Sequence, residues 1–569
     1  MTECEASEEA SGNITKPNEL SQPSPPQTPF PSDGEEKITT GETTNIESEN
    51  QDVPAVYIQG ARLHLITIGV CLTLFLTNLE IPIVTTSLVS ITNDLHSFDQ
   101  TSWIISSYLL GYVSMLIIWA KLSDIFGRKS IAVISLLIFV LFSGACGAAH
   151  TMTQLQNRII FRAFQGLGGG GNYALGTIIL LELVPPELFP KYTGIAAVVF
   201  SISLLLGPIL GGAISTSGWR WIFLLNVPAG APALAILVFC LPSTFPFHRQ
   251  GKAYNGFGAV VSKDTWLRVD SIGAVLLLIA TTFLVAALEE AGQEYAWRSA
   301  FVISLMTITG VTCIAFILWE RRVTPTAKIT EPIFPWRLMT SRIWIGMTFN
   351  ALFLGGPWFV TIFQLPQRFR LVDQVSALNS GIRLIPFTLA SPFGSGISAA
   401  VAGKAKIPPL YIVIFASVLQ VVGFTLLSNL PTSSVTSHAQ YGYQVIAGFG
   451  VGINISTLVI MTPYLVEPPI AVAAVSQFRV LGGVLGIAIA TAAYKTFIFG
   501  RLNMFLTGDE VKTILQATQN IDFFSSEVQA HIRTIFAEGY NLQFKIMIAF
   551  SAAQIPSSLL MWQEKQILV

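Results

Sequence analysis

Beyond residue 60 the chain is a succession of apolar runs separated by short polar connections. Each run is close to the ~20 residues that a helix needs to cross the hydrocarbon core of a bilayer. Lipid offers the backbone no hydrogen bonds, so such runs must satisfy their own as helices. The pattern predicts fourteen spans, at 65–88, 102–120, 131–149, 159–181, 193–215, 220–241, 271–288, 299–319, 343–364, 381–401, 409–427, 441–463, 471–498 and 544–561. The last is the least regular, interrupted by Lys545 and Pro556. The longest connection on its side of the series is 501–543, where Val511, Ile514, Leu515, Val528, Ile532, Ile535 and Phe536 recur at near-helical spacing. One or two amphipathic helices lying at the headgroup level are predicted there.

Residues 1–60 show no such period. Pro23, Pro25, Pro26, Pro29 and Pro31 interrupt a Ser/Thr/Glu-rich stretch with little apolar surface to bury, which predicts a disordered tail. Residues 1–55 hold twelve acids and two bases, whereas the rest of the chain holds 30 bases and 21 acids.

Composition removes most alternatives. Hydrophobic residues make up 52% of the 569 and charged residues 11%, against about 25% charged in soluble proteins. An apolar excess of that size needs lipid as its solvent. The net charge of −1 argues against a nucleic-acid protein, which usually shows a basic patch or domain. The five cysteines, Cys4, Cys71, Cys146, Cys240 and Cys313, form no disulfide framework, and no CxxC or His cluster suggests a metal. Neither a nucleotide-binding P-loop nor a nucleophile–base constellation is apparent. An enzyme, a cofactor and an ATP-driven pump are therefore not expected. With fourteen spans, the loops sharing a side with both termini carry fifteen Lys and Arg, and the opposite loops carry eight. That excess predicts cytoplasmic termini.

Isolated polar residues inside the spans are the candidate chemistry. Glu80 lies deep in span 1, beside Pro82. Burial penalises the charged form of an acid, so Glu80 is a candidate for loading and releasing a proton; a neutral structural Glu is the alternative. In span 4, Arg162 and Gln165 precede Gly166 and a Gly168–Gly171 run. A charge centred in a span costs about 2.5–3.5 kcal/mol on insertion scales, so Arg162 needs a polar cavity or a partner unless it reaches the outer interface. Arg383 and Arg479 are further intramembrane charges, each expected either in the cavity or in a structural pair. Aromatics such as Trp103, Tyr108, Phe349, Phe353 and Trp358 are candidates to line a pocket.

Between spans 2 and 3 runs Ala120-Lys-Leu-Ser-Asp124-Ile-Phe-Gly127-Arg128-Lys129. Gly127 permits a tight turn, and Asp124 four residues before Arg128 can form a charge-assisted clamp. Generic basic-loop chemistry is the alternative. Span 5 carries Gly194, then Ser203-Leu-Leu-Leu-Gly207-Pro208-Ile-Leu-Gly211-Gly212. Small residues four apart let helices approach closely, and Pro208 bends the helix. Span 13, with Gln477, Arg479, Gly482, Gly483 and Gly486, looks like a degenerate copy of span 5, and Gly403-Lys-Ala-Lys406 occupies the place of the Asp124 loop without its acid.

These strings resemble the major facilitator superfamily. Leu122, Asp124, Gly127, Arg128 and Lys129 match its loop 2–3 motif, with Ala120 and Ile125 departing from it. Arg162 and Gln165-Gly166 are similar to its R-x-x-q-G motif, and Gly207-Pro208-x-x-Gly211-Gly212 to the antiporter motif of its drug exporters. Leu79-Glu80-Ile-Pro82 looks like the first-span motif of the fourteen-helix drug:proton antiporters, with Glu for Asp. The resemblance implies an all-α polytopic fold of two six-helix bundles, 61–241 and 343–569, with two extra spans in a 242–342 linker and residues 1–60 as a cytoplasmic tail. It implies a latch at Asp124 and Arg128, proton movement at Arg162, and proton-coupled efflux of amphipathic organic compounds by a monomer in the plasma membrane rather than the vacuolar one. A siderophore carrier and a non-transporting receptor are the alternatives.

Overall fold

The computed structural model describes residues 57–95, 101–148, 153–246, 262–291, 295–326, 329–432, 437–462, 468–516, 521 and 523–566. The acidic tail falls outside them apart from its last four residues. Among the described residues the fold is helical, with no named strand. The first long helices are α1 (Gly60–Leu95), α2 (Thr101–Phe126), α3 (Arg128–Ala148), α4 (Thr153–Glu182), α5 (Phe189–Gly218) and α6 (Arg220–Cys240, interrupted at Leu225). Next come α7 (Ser271–Glu290) and α8 (Ala300–Thr326). The series closes with α9 (Arg342–Leu371), α10 (Asn379–Gly403, broken at Arg383 and Leu384), α11 (Pro409–Ser428), α12 (Ala439–Met461), α13 (Pro468–Leu502) and α14 (Ser526–Leu559).

Local chemistry fixes several ends. Gly127 separates α2 from α3 at φ +92°, a conformation that L side chains rarely adopt. Asp270 caps α7 by accepting from the Gly273 amide at 2.9 Å, and Ser341 caps α9 in the same way.

Packing repeats at an offset of eight helices. α1 lies along α5 and α6, α2 along α4, and α3 along α4 and α6; α9 lies along α13 and α14, α10 along α12, and α11 along α12 and α14. α5 runs along α10 and α2 meets α13, which joins the two sets. α7 and α8 pair with each other, and α7 seats the pair against α2 and α13, where Ser114 and Thr282 hydroxyls are 2.9 Å apart. Ile303, Val311, Ile314 and Leu318 of α8 stay exposed, which suits a helix whose solvent is lipid.

Twelve helices among the described residues are long and apolar enough to cross a membrane; α4 and α14 are not among them. Both carry polar residues on buried faces: Arg162, Gln165 and Asn172 in α4, Gln543 and Gln554 in α14. The glycine run of α4 explains its central place. A Cβ on Gly166 would come within 2.1 Å of the Tyr108 carbonyl, and one on Gly168 within 2.5 Å of the Phe139 amide. α2 and α3 can therefore both lie against its backbone.

The 501–543 segment corrects one expectation. It holds the end of α13, a short helix Gly508–Gln516 and the first part of α14, which begins at Ser526 rather than at 544. Val511 and Ile514 turn their side chains to protein rather than to lipid. They are buried with Ile498, Leu502, Ile532, Ile535 and Phe536, because the apolar faces of the short helix and of α14 cover each other. Glu510 accepts from the Thr507 amide and hydroxyl at 2.8 Å each. The amide bond, then the hydroxyl bond, hold its carboxyl below the usual range.

Candidate functional site

A polar network sits inside the first six helices. Glu80 of α1 and Arg162 of α4 are each 1% exposed, and Arg162 Nη1 donates to Glu80 Oε1 at 2.5 Å. Arg162 Nη1 also donates to Gln165 Oε1 at 2.8 Å, and its Nε to the Ile104 carbonyl at 2.9 Å. The other Glu80 oxygen accepts from Asn226 Nδ2 of α6 at 2.7 Å. Ser143 of α3 closes the network by accepting from Asn226 and Gln165 at 2.8 and 2.9 Å. Rings cover the guanidinium: its Cζ is 4.5 Å from the Tyr108 centroid and 5.5 Å from that of Phe223. A charge pair this far from water is tolerable only when its remaining hydrogen-bonding groups also find partners; Arg162 Nη2 alone has none. Sequence located the two charges and Gln165. It missed Asn226 and Ser143, since a neutral amide or hydroxyl in an apolar run does not signal which way it points.

One turn of α1 links this network to a central cavity. Thr77, Asn78, Ile81 and Pro82 line the cavity, on either side of Glu80. Tyr112, Tyr173, Phe200 and Leu204 complete its wall on the first set of helices, and Trp358, Phe359, Ile362, Phe363, Ile455, Arg479 and Val480 supply the other wall. The volume is about 60 Å³, room for a few waters rather than for a drug-sized solute. Of the five aromatics singled out from sequence, Trp358 alone lines it. Tyr108 lies beneath Arg162, Phe349 is exposed, Phe353 packs on Phe550, and the Trp103 side chain falls outside the described residues. Arg479 faces the cavity and its Nη2 donates to the Tyr173 hydroxyl. Arg383 does not. It sits at the break in α10 and pairs with Asp373 at 2.9 Å.

The Gly127 turn carries a second charged cluster. Arg128, 1% exposed, bonds Asp124 at 2.7 Å and Glu182 of α4 through Nε and Nη2 at 2.9 Å each. It also donates to the Ser123 hydroxyl. Lys129 is half-buried and takes no part in this clamp. Nearby, Glu331 accepts from Lys121 at 3.1 Å and from Arg268 at 2.5 Å, tying α2 to the linker segments that flank α7 and α8. On this face Ala120, Ile178 and Leu181 bury against Val459, Val472 and Ala473, an apolar seal between the two sets of helices. Glu182 and Glu331 were not singled out from sequence, although an acid ending a span at the depth of Arg128 was the available signal.

The glycines of α5 divide into two kinds. A Cβ on Gly207 would meet Pro82 of α1 at 2.6–2.7 Å, so the two proline-bearing helices meet at this point. The Gly211 carbonyl accepts from Ser87 of α1 at 2.9 Å. Gly194 and Gly212 have open space instead, and Pro208 looks toward Gly381 of α10.

Long apolar helices packed as two related sets, with a cavity between the sets and an ion pair buried beside it, are the architecture of a multi-pass membrane transporter. The Major Facilitator Superfamily profile matches residues 68–269. The MFS-type transporter FPY5 of Fusarium mangiferae is 42% identical over 518 residues, covering 90% of this chain and 86% of its own length. The MFS-type efflux pump LUC4 of a Fusarium species is 31% identical over 525 residues, covering 88% and 87%. The chain belongs to the major facilitator superfamily. A bacterial homolog of the human lysosomal transporter Spinster, inward-facing and unoccupied, has the same fold at a TM-score of 0.53 and 14% identity, covering 89% of this chain and all of its own.

Proposed function

We propose that this protein is a proton-coupled exporter of amphipathic organic compounds that works by alternating access. In this reading it crosses the plasma membrane fourteen times as a monomer, with both termini cytoplasmic. The basic residues concentrated on the Gly127 face support that orientation, and the efflux relative supports the direction. The observation that carries the proposal is the position of Glu80, buried against Arg162 within the turn of α1 whose other residues line the cavity.

Arg162 and Glu80 occupy each other as a buried pair, so in this mechanism a proton reaches Glu80 only as the pair parts. The Ile104 carbonyl, Gln165 and the two rings then keep the guanidinium in place. A proton taken up from outside frees α1 from α4, favours return of the empty carrier, and leaves inward as solute enters the cavity. The clamp of Arg128 with Asp124 and Glu182, together with the apolar seal, closes the cytoplasmic side meanwhile. α1 and α5, touching at Pro82 and Gly207, transmit the change.

The test is reconstitution of the purified protein in sealed vesicles with a fluorescent hydrophobic dye and an imposed pH gradient. Dye accumulation that collapses with a protonophore is expected. Accumulation indifferent to the gradient refutes the coupling.

A further inference from the structure

Four arginines are buried among the described residues: Arg128, Arg162, Arg368 and Arg479. Arg128 has Asp124 and Glu182, Arg162 has Glu80, and Arg368 has Asp373 at 3.8 Å. Arg479 is the exception. Among the described residues no carboxylate forms an ion pair with it, and its recorded partner is the neutral hydroxyl of Tyr173. It is 8% exposed, and what it faces is the central cavity. Its Cζ lies 6.0 Å from the Tyr173 ring centroid. Among the described residues that line the cavity there is no acid, and Arg479 is the one charged residue.

An unneutralised guanidinium in a site with little water is costly, and an anion brought to it recovers that cost. The planar fork of arginine suits a delocalised oxyanion, a carboxylate or an enolate, which it binds through two parallel hydrogen bonds. The rest of the wall suits a flat body. Tyr173 stacks on Phe200 with centroids 5.5 Å apart and planes at 21°, Tyr112 lies 5.9 Å from Tyr173, and Trp358 faces them from the other set of helices. A cationic solute would find aromatic faces but also a like charge with no compensating acid.

We infer that the transported solute is an organic anion with a planar conjugated body, its acidic group seated on Arg479 and its body between the Tyr173–Phe200 stack and Trp358. This rests on the reading of the cavity as the transport site. The acid takes the place of the Tyr173 hydroxyl on Arg479. Since Tyr173 is on α4 and Arg479 on α13, binding releases a tie between the two sets of helices. That release is how solute entry favours their parting and enlarges a cavity too small to hold the solute as it stands.

Binding of three probes of one shape to the full-length protein in lipid nanodiscs tests the inference: pyrene-1-carboxylate, pyrene-1-carboxamide and 1-pyrenemethylammonium, followed by fluorescence. The carboxylate is expected to bind about tenfold or more tightly than the other two, the worth of one charge-assisted hydrogen bond. Arg479→Gln should abolish that preference without weakening the ammonium probe, and Arg479→Lys should restore part of it. An amide or ammonium probe that binds as tightly as the carboxylate overturns the inference, as does a preference surviving in Arg479→Gln or no carboxylate binding up to its solubility. Failure here while a neutral dye still follows the pH gradient in vesicles removes the anion and leaves export standing. Loss of gradient-driven movement for every solute removes export itself.

Discussion

At the scale of single residues, Glu80 and Arg162 are two charges buried within hydrogen-bonding distance and held by Asn226, Gln165 and Ser143. Removing one member of such a pair leaves the other buried and uncompensated, a loss of about 3–5 kcal/mol, whereas replacing both with neutral groups is often close to neutral. Arg162→Gln should therefore lower the thermal unfolding temperature of the protein in detergent well below that of the parent. Adding Glu80→Gln to it should recover most of the loss while leaving transport uncoupled from the pH gradient. A double variant no more stable than Arg162→Gln alone contradicts this assignment of the network's energy.

At the scale of helices, α5 offers the sharpest contrast. Gly207 sits against Pro82 with no room for a methyl group, while Gly194 and Gly212 face open space. Overpacking at a tight backbone contact typically costs about 1–3 kcal/mol. Gly207→Ala should depress both unfolding temperature and transport rate, and Gly194→Ala and Gly212→Ala should leave the unfolding temperature within a degree or two of the parent. Equal effects at all three positions would mean that α1 and α5 are not in contact there in the working protein. The sequence motif names Gly207 and Gly212 alike, and only the packing separates them. Helix positions were otherwise legible because each span needs an apolar run long enough to cross the bilayer. The start of α14 was misjudged because its first part is amphipathic. Its apolar side finds protein rather than lipid, so hydropathy alone underrates it.

Taken as a whole, the molecule is chemically asymmetric although its packing repeats. The first set of helices carries an ionic network on α1, α3, α4 and α6. The second carries a neutral one on α9, α11, α12 and α14, where Gln554 accepts from Asn454 at 2.7 Å and donates to Gln420 at 3.0 Å, and Asn350 donates to the Gln554 carbonyl at 3.0 Å. Sequence showed the repeat through glycines and loops, but it did not show this second network, whose members are amides scattered over four helices. An ionisable group is present in the first network alone, so the second should hold the fold without carrying protons. Gln554→Leu should strand Asn454 and Gln420 at a cost of about 1–3 kcal/mol per unsatisfied group, measured as a lower unfolding temperature, with the protonophore sensitivity of transport unchanged.

The central claim is that the proton travels on Glu80. The most direct test compares two assays on the Glu80→Gln protein in sealed vesicles: solute accumulation driven by an imposed pH gradient, and exchange of labelled for unlabelled solute at equal pH on both sides. The account predicts that gradient-driven accumulation is abolished while exchange persists, since exchange needs a folded alternating carrier but no proton. Gradient-driven accumulation at the parent rate in Glu80→Gln would contradict it and assign the proton to another group.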